Sequence, residues 1–329
     1  MREYGKQEFS LMDGIDFEST LPKISENERK NNKLYHYTSL NALNAMLSNS
    51  RCQSNEKIEF VMRATSGFSM NDSEEIKYGI DKFAHLLKII ENELNIKEHK
   101  LSDVLINKGK ESSFYQFLKD ELPQTNYIPF VISLTKEEDS LPMWKMYGDD
   151  FHGVRLEFSE YGLTQNLRTT NLFRSVMAEV TYKEIISPIK WRNRNNDDTV
   201  YFHLKTLYKL YISSIDTEGF CESPIKKKMQ SLLLMVALAL SFLKTKDWEM
   251  EKEWRLVYVE LNPQNYRYRV SKEKNLIRHL EVPFPINAIE GIKVGPLVDD
   301  ITIGTLNILL ESLGCPFKAT KSTISYRDF

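Results

Sequence analysis

Three glutamates lie close together in the tract Trp248-Glu-Met-Glu-Lys-Glu-Trp-Arg255, which follows a long apolar stretch and precedes a strand pattern. On an extended backbone, side chains two residues apart point to the same face. Glu249, Glu251 and Glu253 would then share one face, with the two tryptophans on the other. Crowded carboxylates repel one another, and perturbed acids of this kind cluster at functional sites. The tract therefore indicates either a carboxylate site or a solvated charged edge.

An imidazole occupies a second candidate position, in the tract Tyr35-His-Tyr-Thr-Ser39. The pattern predicts a strand end followed by a helix N-terminus, where backbone amides favour anionic groups. His36 could there donate to a ribose hydroxyl or a diphosphate of a ligand. The alternative is a satisfied core histidine between two tyrosines.

Aromatic and amide side chains complete the set of candidates. Trp144 and Tyr147 lie three residues apart on a short helix predicted over 141–147, so they share a face. They form either a core pair or a stacking wall for a flat ring such as nicotinamide or adenine. Asn71 and Asp72 precede a helical pattern, where they act either as caps or as ligand contacts.

The elements that must position these residues alternate irregularly. Strands are predicted over 33–37, 129–134, 153–158, 175–182, 255–261, 266–270, 278–282, 289–294 and 317–324. Helices are predicted from Thr38 or Ser39 to Leu47, as an inserted pair over about 72–122, over about 199–215 and 223–244, and from Asp299 or Asp300 to Leu313. This order lacks a regular strand–helix–strand repeat, so it favours an α+β fold with a mixed or antiparallel sheet. Residues 1–32 are a polar N-terminal extension, with a loop predicted over 26–32, and 33–329 form one domain.

The bulk composition narrows the class of protein. Lys and Arg (44) nearly balance Asp and Glu (46), which excludes a global basic field for nucleic acid but leaves a local patch open. The apolar segment 231–243 is shorter than the roughly 20 residues that a spanning helix needs, so it predicts a central buried helix and no membrane partner. Three separated cysteines, Cys52, Cys221 and Cys315, and a polar N-terminus favour a cytoplasmic protein.

Several common site motifs are absent from the sequence. It has no glycine-rich phosphate loop, no His-Glu-x-x-His, no Cys-x-x-Cys and no Gly-x-Ser-x-Gly, so neither a P-loop or Rossmann site nor a zinc site is expected. We expect no bound metal. One alternative keeps a metal: a nuclease-type effector in which Glu249, Glu251 and Glu253 hold magnesium.

Taken in order, the tracts resemble a known bacterial family. They are Tyr35-His-Tyr-Thr, Met70-Asn-Asp-Ser-Glu74, Ile132-Ser-Leu-Thr, Asp139 to Gly148 with its Met-Trp-x-x-Tyr-Gly element, Trp248-x-x-Glu-Lys-Glu-Trp-Arg255 and Ile292-Lys-Val-Gly295. The set resembles the domain-of-unknown-function family numbered 2971, over about 33–325. That pattern is in turn similar to the ADP-ribosyltransferases, whose split sheet binds NAD in a cleft.

The second resemblance implies a role for each candidate. It gives His36 the ribose-holding position, Glu253 the catalytic position and Glu251 that of a helper acting on the acceptor. The ADP-ribosyltransferases have a third motif position, between those of His36 and Glu253 along the chain. Here either Ser133 with Thr135 or Tyr147 would occupy it. Arg255 would keep the carboxylates ionised or grip a phosphate, and its alternative is an ion pair with Glu253 or Asp72. The implied ligand contacts are Tyr37, Thr38, Asn71, Ser133, Trp144, Tyr147 and Arg255.

The resemblance implies an NAD-using ADP-ribosyltransferase or NAD glycohydrolase, acting as a toxin or an antiviral defence effector. A carboxylate beside the ribose would stabilise the oxocarbenium-like state formed when the nicotinamide bond breaks. The acceptor stays open between protein, nucleic acid, a small molecule and water. Besides the nuclease, a second alternative is an inactive module that binds a nucleotide or a partner protein.

Overall fold

The computed structural model describes residues 26–48, 59–69, 87–97, 102, 129–163, 174–180, 182, 241–260, 262–270 and 274–326. The strands are β1 (Lys33–Thr38), β2 (Glu59–Ser66), β3 (Pro129–Thr135), β4 (Val154–Ser159), β5 (Arg174–Glu179), β6 (Glu253–Val259), β7 (Arg267–Val270), β8 (Leu276–Pro285), β9 (Ile289–Val294) and β10 (Thr320–Lys321). The α-helices among them are α1 (Glu26–Asn31), α2 (Leu40–Ser48), α3 (Leu141–Met146) and α4 (Asp300–Ser312).

The described strands form one open sheet that branches at β3. One path runs β10-β9-β4-β1-β3-β2-β8-β7, and β6 pairs with β3 and carries β5 on its other edge. Every pairing is antiparallel except that of β10 with β9. The fold is therefore α+β with a mixed, mostly antiparallel sheet, as the sequence predicts.

A gap in the sheet lies along one edge of β3. Strand β6 pairs with β3 over its whole length, from Pro129 to Thr135. On the opposite edge, β1 pairs with β3 at Thr135, and β2 pairs with β3 at Val131 and Phe130. Within the described chain, residues 132–134 have no paired strand on that edge. The sheet is therefore open between β1 and β2.

Strict alternation along the strands gives the sheet two different faces. On β3 and β6, the side chains of Ile132, Leu134 and Leu256 belong to the main hydrophobic core. Helices α2 and α4 cover this core face, with their own side chains in the same cluster. Ser133 is paired in register with Arg255, and both lie on the other face. That second face carries the polar groups of the candidate site.

The helix ends follow ordinary capping chemistry. The backbone N–H of Ala42 donates to the Ser39 hydroxyl at 3.1 Å, so Ser39 rather than Thr38 caps α2. The side chain of Asp299 accepts from the backbone N–H of Thr302 at 2.7 Å and caps α4. These two predicted helices are confirmed with their start points.

Two predictions about local structure are wrong. The stretch expected to be a loop over 26–32 contains helix α1, because Glu26 and Lys30 form an i,i+4 ion pair at 2.6 Å and the acidic and basic ends suit the helix dipole. Strand β2 was not expected at all. Its buried residues Phe60, Met62 and Ala64 alternate with less buried ones, most of them polar, which is a half-buried strand pattern.

The remaining helix predictions fall mostly outside the described residues. Within the expected insertion, residues 87–93 are helical, and the rest of the pair stays a prediction. Of the apolar helix expected over 223–244, only 241–244 are described, and these four residues are not helical. In the described part of the chain, no helix has the length and apolarity to cross a membrane.

Two glycines allow the ends of β4 and β9 to approach a loop. The backbone N–H of Gly295 donates to the carbonyl oxygen of Gly153 at 2.9 Å. A Cβ atom on Gly295 would lie 2.0 Å from the carbonyl oxygen of Phe151, and one on Gly153 would lie 2.3 Å from that of Thr38. Neither position can accept a side chain without moving backbone.

Candidate active site

A cavity of about 250 Å³ lies in the gap between β1 and β2. Residues Val131 to Thr135 of β3 form its floor, and His36 of β1 and Thr65 of β2 lie on its two sides. Glu251 and Glu253 line it as well, together with Tyr147 after α3. The cavity is therefore lined by the histidine, the two carboxylates and both alternatives for the third motif position, Ser133 with Thr135, and Tyr147.

A left-handed residue brings the two carboxylates into the same cavity. The 3-10 helix Lys246–Glu251 ends at Lys252, which has φ 41° and ψ 51°, and β6 begins at the next residue. The Thr135 hydroxyl donates to the carbonyl oxygen of Glu251 at 2.5 Å. The backbone N–H of Glu253 donates to the hydroxyl oxygen of Tyr182 at 2.8 Å. These bonds hold the turn against the end of β3.

Two buried cations neutralise the two carboxylates. The ammonium of Lys244 donates to Glu251 at 2.6 Å and to Glu253 at 3.2 Å. The guanidinium of Arg255 donates to both oxygens of Glu253, at 2.7 and 2.9 Å, and to the carbonyl oxygen of Ser241 at 2.7 Å. Glu251 and Glu253 are each 3% exposed, so these pairs lie in a largely water-free environment where charge interactions are strong.

The charge state of Glu253 follows from this balance. Burial alone would raise the pKa of its carboxyl, but the Arg255 guanidinium and then the Lys244 ammonium outweigh burial and lower the pKa below the ordinary 4.5. Glu253 is therefore ionised at neutral pH. A carboxylate held so strongly is a weak base, which suits it to stabilising positive charge rather than to removing protons.

Tyr147 is attached to the second carboxylate. Its hydroxyl donates to Glu251 at 2.5 Å. Burial, and then the hydrogen bond and negative charge of Glu251, raise the pKa of Tyr147 well above its ordinary value. The tyrosine therefore stays protonated and acts as a donor that orients Glu251.

His36 fills the open ladder position on β3. Its Nδ1 atom lies 2.9 Å from the carbonyl oxygen of Ser133. Burial lowers the pKa of His36 below 6.5, so the ring is neutral at pH 7. A carbonyl oxygen can only accept, so Nδ1 carries the proton and Nε2 keeps a lone pair. His36 is therefore fixed in one tautomer at the wall of the cavity.

The other predicted ligand contacts are distributed differently. Tyr37 lines the cavity, but its hydroxyl already bonds to the carbonyl oxygens of Glu137 and Glu138. Thr38 pairs with Val154 in the ladder and is not among the lining residues. Asn71 lies outside the described residues. Ser133 is on the cavity floor.

Trp144 and Arg255 lie behind the cavity wall rather than at its surface. Trp144 is fully buried, and its indole N–H donates to Asp139 at 2.7 Å. Its ring is packed edge-on against Tyr37 at 4.8 Å between centroids, so it belongs to the core and offers no stacking face. Arg255 is also fully buried and pairs with Glu253, so its guanidinium does not line the cavity. The possible partner Asp72 is outside the described residues.

The expected extended conformation of the glutamate tract is wrong. Glu249 is exposed on the 3-10 helix, so it is separated from the other two carboxylates. Trp254 packs in the core while Trp248 lines the cavity, so the tryptophans do not share a face. The Lys244 ammonium holds the position between Glu251 and Glu253. The three glutamates therefore do not converge to hold magnesium.

The sequence did not mark some of the residues that line the cavity as site residues. Lys244 has no motif around it, although a lysine directly after a long apolar run is unusual for a buried element. Its ammonium also lies 4.8 Å from the ring centroid of Trp248. Arg63 and Thr65 belong to β2, whose alternating pattern was the available signal. Arg269 of β7 completes the set.

Comparison with known proteins supports the expected family over part of the chain. A family model described as "Protein of unknown function (DUF2971)" matches residues 143–256. The matched stretch runs from α3 into β6 and contains Tyr147, Lys244, Glu251, Glu253 and Arg255. No curated protein and no solved structure matches the chain.

Proposed function

We propose that this protein breaks the nicotinamide–ribose bond of NAD and transfers ADP-ribose to an acceptor or to water. The observation that carries the proposal is the ionised Glu253 at a cavity wall, held by Arg255 and Lys244. The resemblance to ADP-ribosyltransferases supplies the substrate class, and the open sheet beside β3 offers a cleft of the kind that this resemblance implies.

The proposed reaction uses the site residues in three roles. As the bond between C1′ and the nicotinamide nitrogen breaks, its electron pair leaves with nicotinamide and positive charge develops on the ribose. Glu253 stabilises that charge, and preorganised electrostatics of this kind is usually the largest catalytic contribution. Its Oε1 accepts one bond from Arg255, and a carboxylate oxygen can accept a second, from a ribose hydroxyl.

His36 and Glu251 act on the two reactants, His36 on NAD and Glu251 on the acceptor. The Nε2 lone pair of His36 accepts a hydrogen bond from a ribose hydroxyl and fixes the sugar in the gap. Glu251, oriented by the Tyr147 hydroxyl, orients the acceptor that attacks C1′. An acceptor with an O–H or N–H group transfers its proton to the Glu251 carboxylate as the new bond to C1′ forms.

The test measures nicotinamide release from NAD by the full chain and by the variant Glu253→Gln. Gln keeps the shape and removes the charge, so we expect release to fall at least about a hundredfold, the size of losing one strong electrostatic contact. The matched control is Glu249→Gln, which removes an exposed carboxylate from the same tract and should leave the rate unchanged. The absence of release by the wild type, or equal rates for wild type and Glu253→Gln, would overturn the proposal.

A further inference from the structure

Two arginines line the mouth of the cavity on the side opposite β1. Arg63 of β2 is exposed and Arg269 of β7 is half-buried, and both line the same cavity as Glu253. Arg63 and Thr65 lie on the site face of the sheet, because Thr65 is paired in register with Val131. Their position on separate strands lets two guanidinium groups approach one ligand.

The charges around the cavity leave a positive excess at this mouth. Lys244 and Arg255 are matched by Glu251 and Glu253. Within the portion of the chain that the structure describes, no carboxylate forms an ion pair with Arg63 or Arg269. Glu281 lies opposite Arg63 in register, but its carboxylate approaches Arg267, at 3.9 Å. Counted over the described residues alone, the charges named here leave two more positive than negative.

The cavity is large enough for only part of a dinucleotide. A volume of about 250 Å³ admits a ring and a sugar, and it is below the range of about 300–1,000 Å³ usual for whole drug-sized ligands. A dinucleotide with its reactive ribose at Glu253 must therefore extend through the mouth. The group next to that ribose is the diphosphate, which would pass the two arginines.

We propose that Arg63 and Arg269 bind the diphosphate of a nucleotide whose reactive ribose lies against Glu253. Guanidinium groups match phosphate oxygens with two parallel N–H donors, which makes arginine the usual residue for such recognition. This inference rests on the proposed function for the identity of the ligand. It adds the residues that select a diphosphate over a nucleoside.

The same positive charges affect the pKa of a neighbouring histidine. His279 of β8 is opposite Thr65 in register and 3% exposed. Burial, and then the charges of Arg63 and Arg269, lower the pKa of His279 below 6.5, although the negative charge of Glu281 opposes them. The effect fits a face on which positive charge is concentrated and an anion is stabilised.

The experiment compares binding of ADP, AMP and adenosine to the full chain by isothermal titration calorimetry. We expect ADP to bind more tightly than AMP, and AMP more tightly than adenosine. Arg63→Gln and Arg269→Gln should each weaken ADP binding roughly tenfold, the value of one charge-assisted hydrogen bond, and leave adenosine binding unchanged. The matched control is Arg267→Gln, because Arg267 has the same charge on the same strand as Arg269 but is absent from the cavity wall.

The outcomes separate this inference from the proposed function. Loss of ADP affinity in both cavity variants supports the inference even when the wild type releases no nicotinamide, because ADP has no nicotinamide bond to break. Unchanged ADP affinity in both variants, an equal loss in Arg267→Gln, or no ADP binding by the wild type would overturn it, whatever the rate of nicotinamide release.

Discussion

The Nδ1 atom of His36 lies 2.9 Å from the backbone carbonyl oxygen of Ser133, at the place where β3 has no neighbouring strand on that edge among the described residues. The side chain thus replaces a missing ladder hydrogen bond. The same bond leaves Nε2 with a lone pair, so one residue has a structural role through one nitrogen and a proposed binding role through the other.

Two substitutions separate the roles of His36. The amide nitrogen of Asn can replace Nδ1, so His36→Asn keeps the donor to Ser133 and has no acceptor at the position of Nε2. We expect its free energy of unfolding to stay close to wild type while the KM for NAD rises about tenfold. His36→Ala loses both groups and should lower the free energy of unfolding by about 1–2 kcal/mol. Urea unfolding and initial rates of nicotinamide release measure the two effects, and equal destabilisation by both variants would contradict the assignment.

The pH dependence of stability tests whether the His36 ring is neutral in the folded protein. Its pKa is lowered from 6.5 by burial, so the unfolded chain binds a proton at a higher pH than the folded chain does. The contribution of the neutral ring is therefore intact above pH 6.5 and is lost as the pH falls from 6.5 through the lowered value. The stability of wild type relative to His36→Asn should decrease over that window in urea titrations. A constant difference between the two proteins from pH 8 to pH 5 would argue against a buried neutral ring.

Lys244 is expected to be essential for the charge state of the site. Lys244→Met leaves two buried carboxylates short of a partner, which typically costs about 3–5 kcal/mol for a buried ion pair broken on one side. It should also raise the pKa of Glu253, so any remaining activity should disappear at a higher pH than in the wild type. The matched control is Lys252→Met, because the Lys252 side chain is 62% exposed and pairs with Glu137 at the surface.

Unfolding curves and the acid limb of the pH–rate profile test both parts of this prediction. Restoring neutrality with Lys244→Met combined with Glu251→Gln should recover part of the lost stability. Equal stability of Lys244→Met and Lys252→Met would show that the buried ammonium does not hold the carboxylates.

Asp139 is expected to stabilise the C-terminal segment. Its carboxylate accepts from Trp144 at 2.7 Å, from Ser322 at 2.7 Å and from Lys293 at 3.1 Å. Burial works against ionisation, but these donors and Thr323 prevail and lower the pKa of Asp139 from 3.8 to about 2. Asp139→Asn should therefore lower the free energy of unfolding at pH 7 by about 2 kcal/mol.

The sign of the pH effect at Asp139 follows from the lowered pKa. The stabilisation is present above pH 3.8 and is lost as the pH falls toward 2, where the folded carboxylate takes up its proton. Urea titrations of wild type and Asp139→Asn should thus converge in acid. Glu138→Gln is a suitable control, since the Glu138 side chain is 61% exposed, and a loss as large as that of Asp139→Asn would contradict the prediction.

A pair of glycine substitutions tests the close approach of β9 to the loop before β4. Gly295→Ala places a methyl group 2.0 Å from the carbonyl oxygen of Phe151, so we expect a loss of about 3 kcal/mol or more in the free energy of unfolding. Gly304 lies on the exposed side of α4 with no atom near its Cβ position. Gly304→Ala should therefore stabilise the protein by about 0.5–1 kcal/mol through helix propensity. Thermal unfolding compares the two, and a change of the same sign in both would contradict the model of the contact.

The sequence predicts the strands of this fold better than the conformation of its site. A continuous apolar run identifies β3, and the strand patterns of β4 and β9 follow from the burial of their side chains in the same core. The pattern of β2 was harder to recognise, because the apolar Val61 interrupts the polar face of the strand. The turn at Lys252 could not be expected from local preferences, since a lysine rarely adopts a left-handed conformation. Tertiary bonds from Thr135 and Lys136 impose it.

The sequence also could not predict which charged residues of the site form ion pairs with one another. Glu253 and His36 were recognisable by type, and both line one cavity. Arg255 pairs with Glu253, one of the two partners that the sequence offered, while the other, Asp72, lies outside the described residues. Lys244 is seven residues from Glu251 along the chain, on a segment with no fixed period relative to β6, so no spacing rule connects the two.

The branching of the sheet at β3 has a mechanical consequence. Strands β10, β9, β4 and β1 form one wing, strands β2, β8 and β7 form the other, and among the described strands only β3 bonds to both. A ligand bound between His36 and Thr65 would contact both wings and would link them across the open edge of β3. A ligand in the cavity would thus hold the two wings together. The increase in the free energy of unfolding on adding a ligand would then measure how strongly it occupies the cavity.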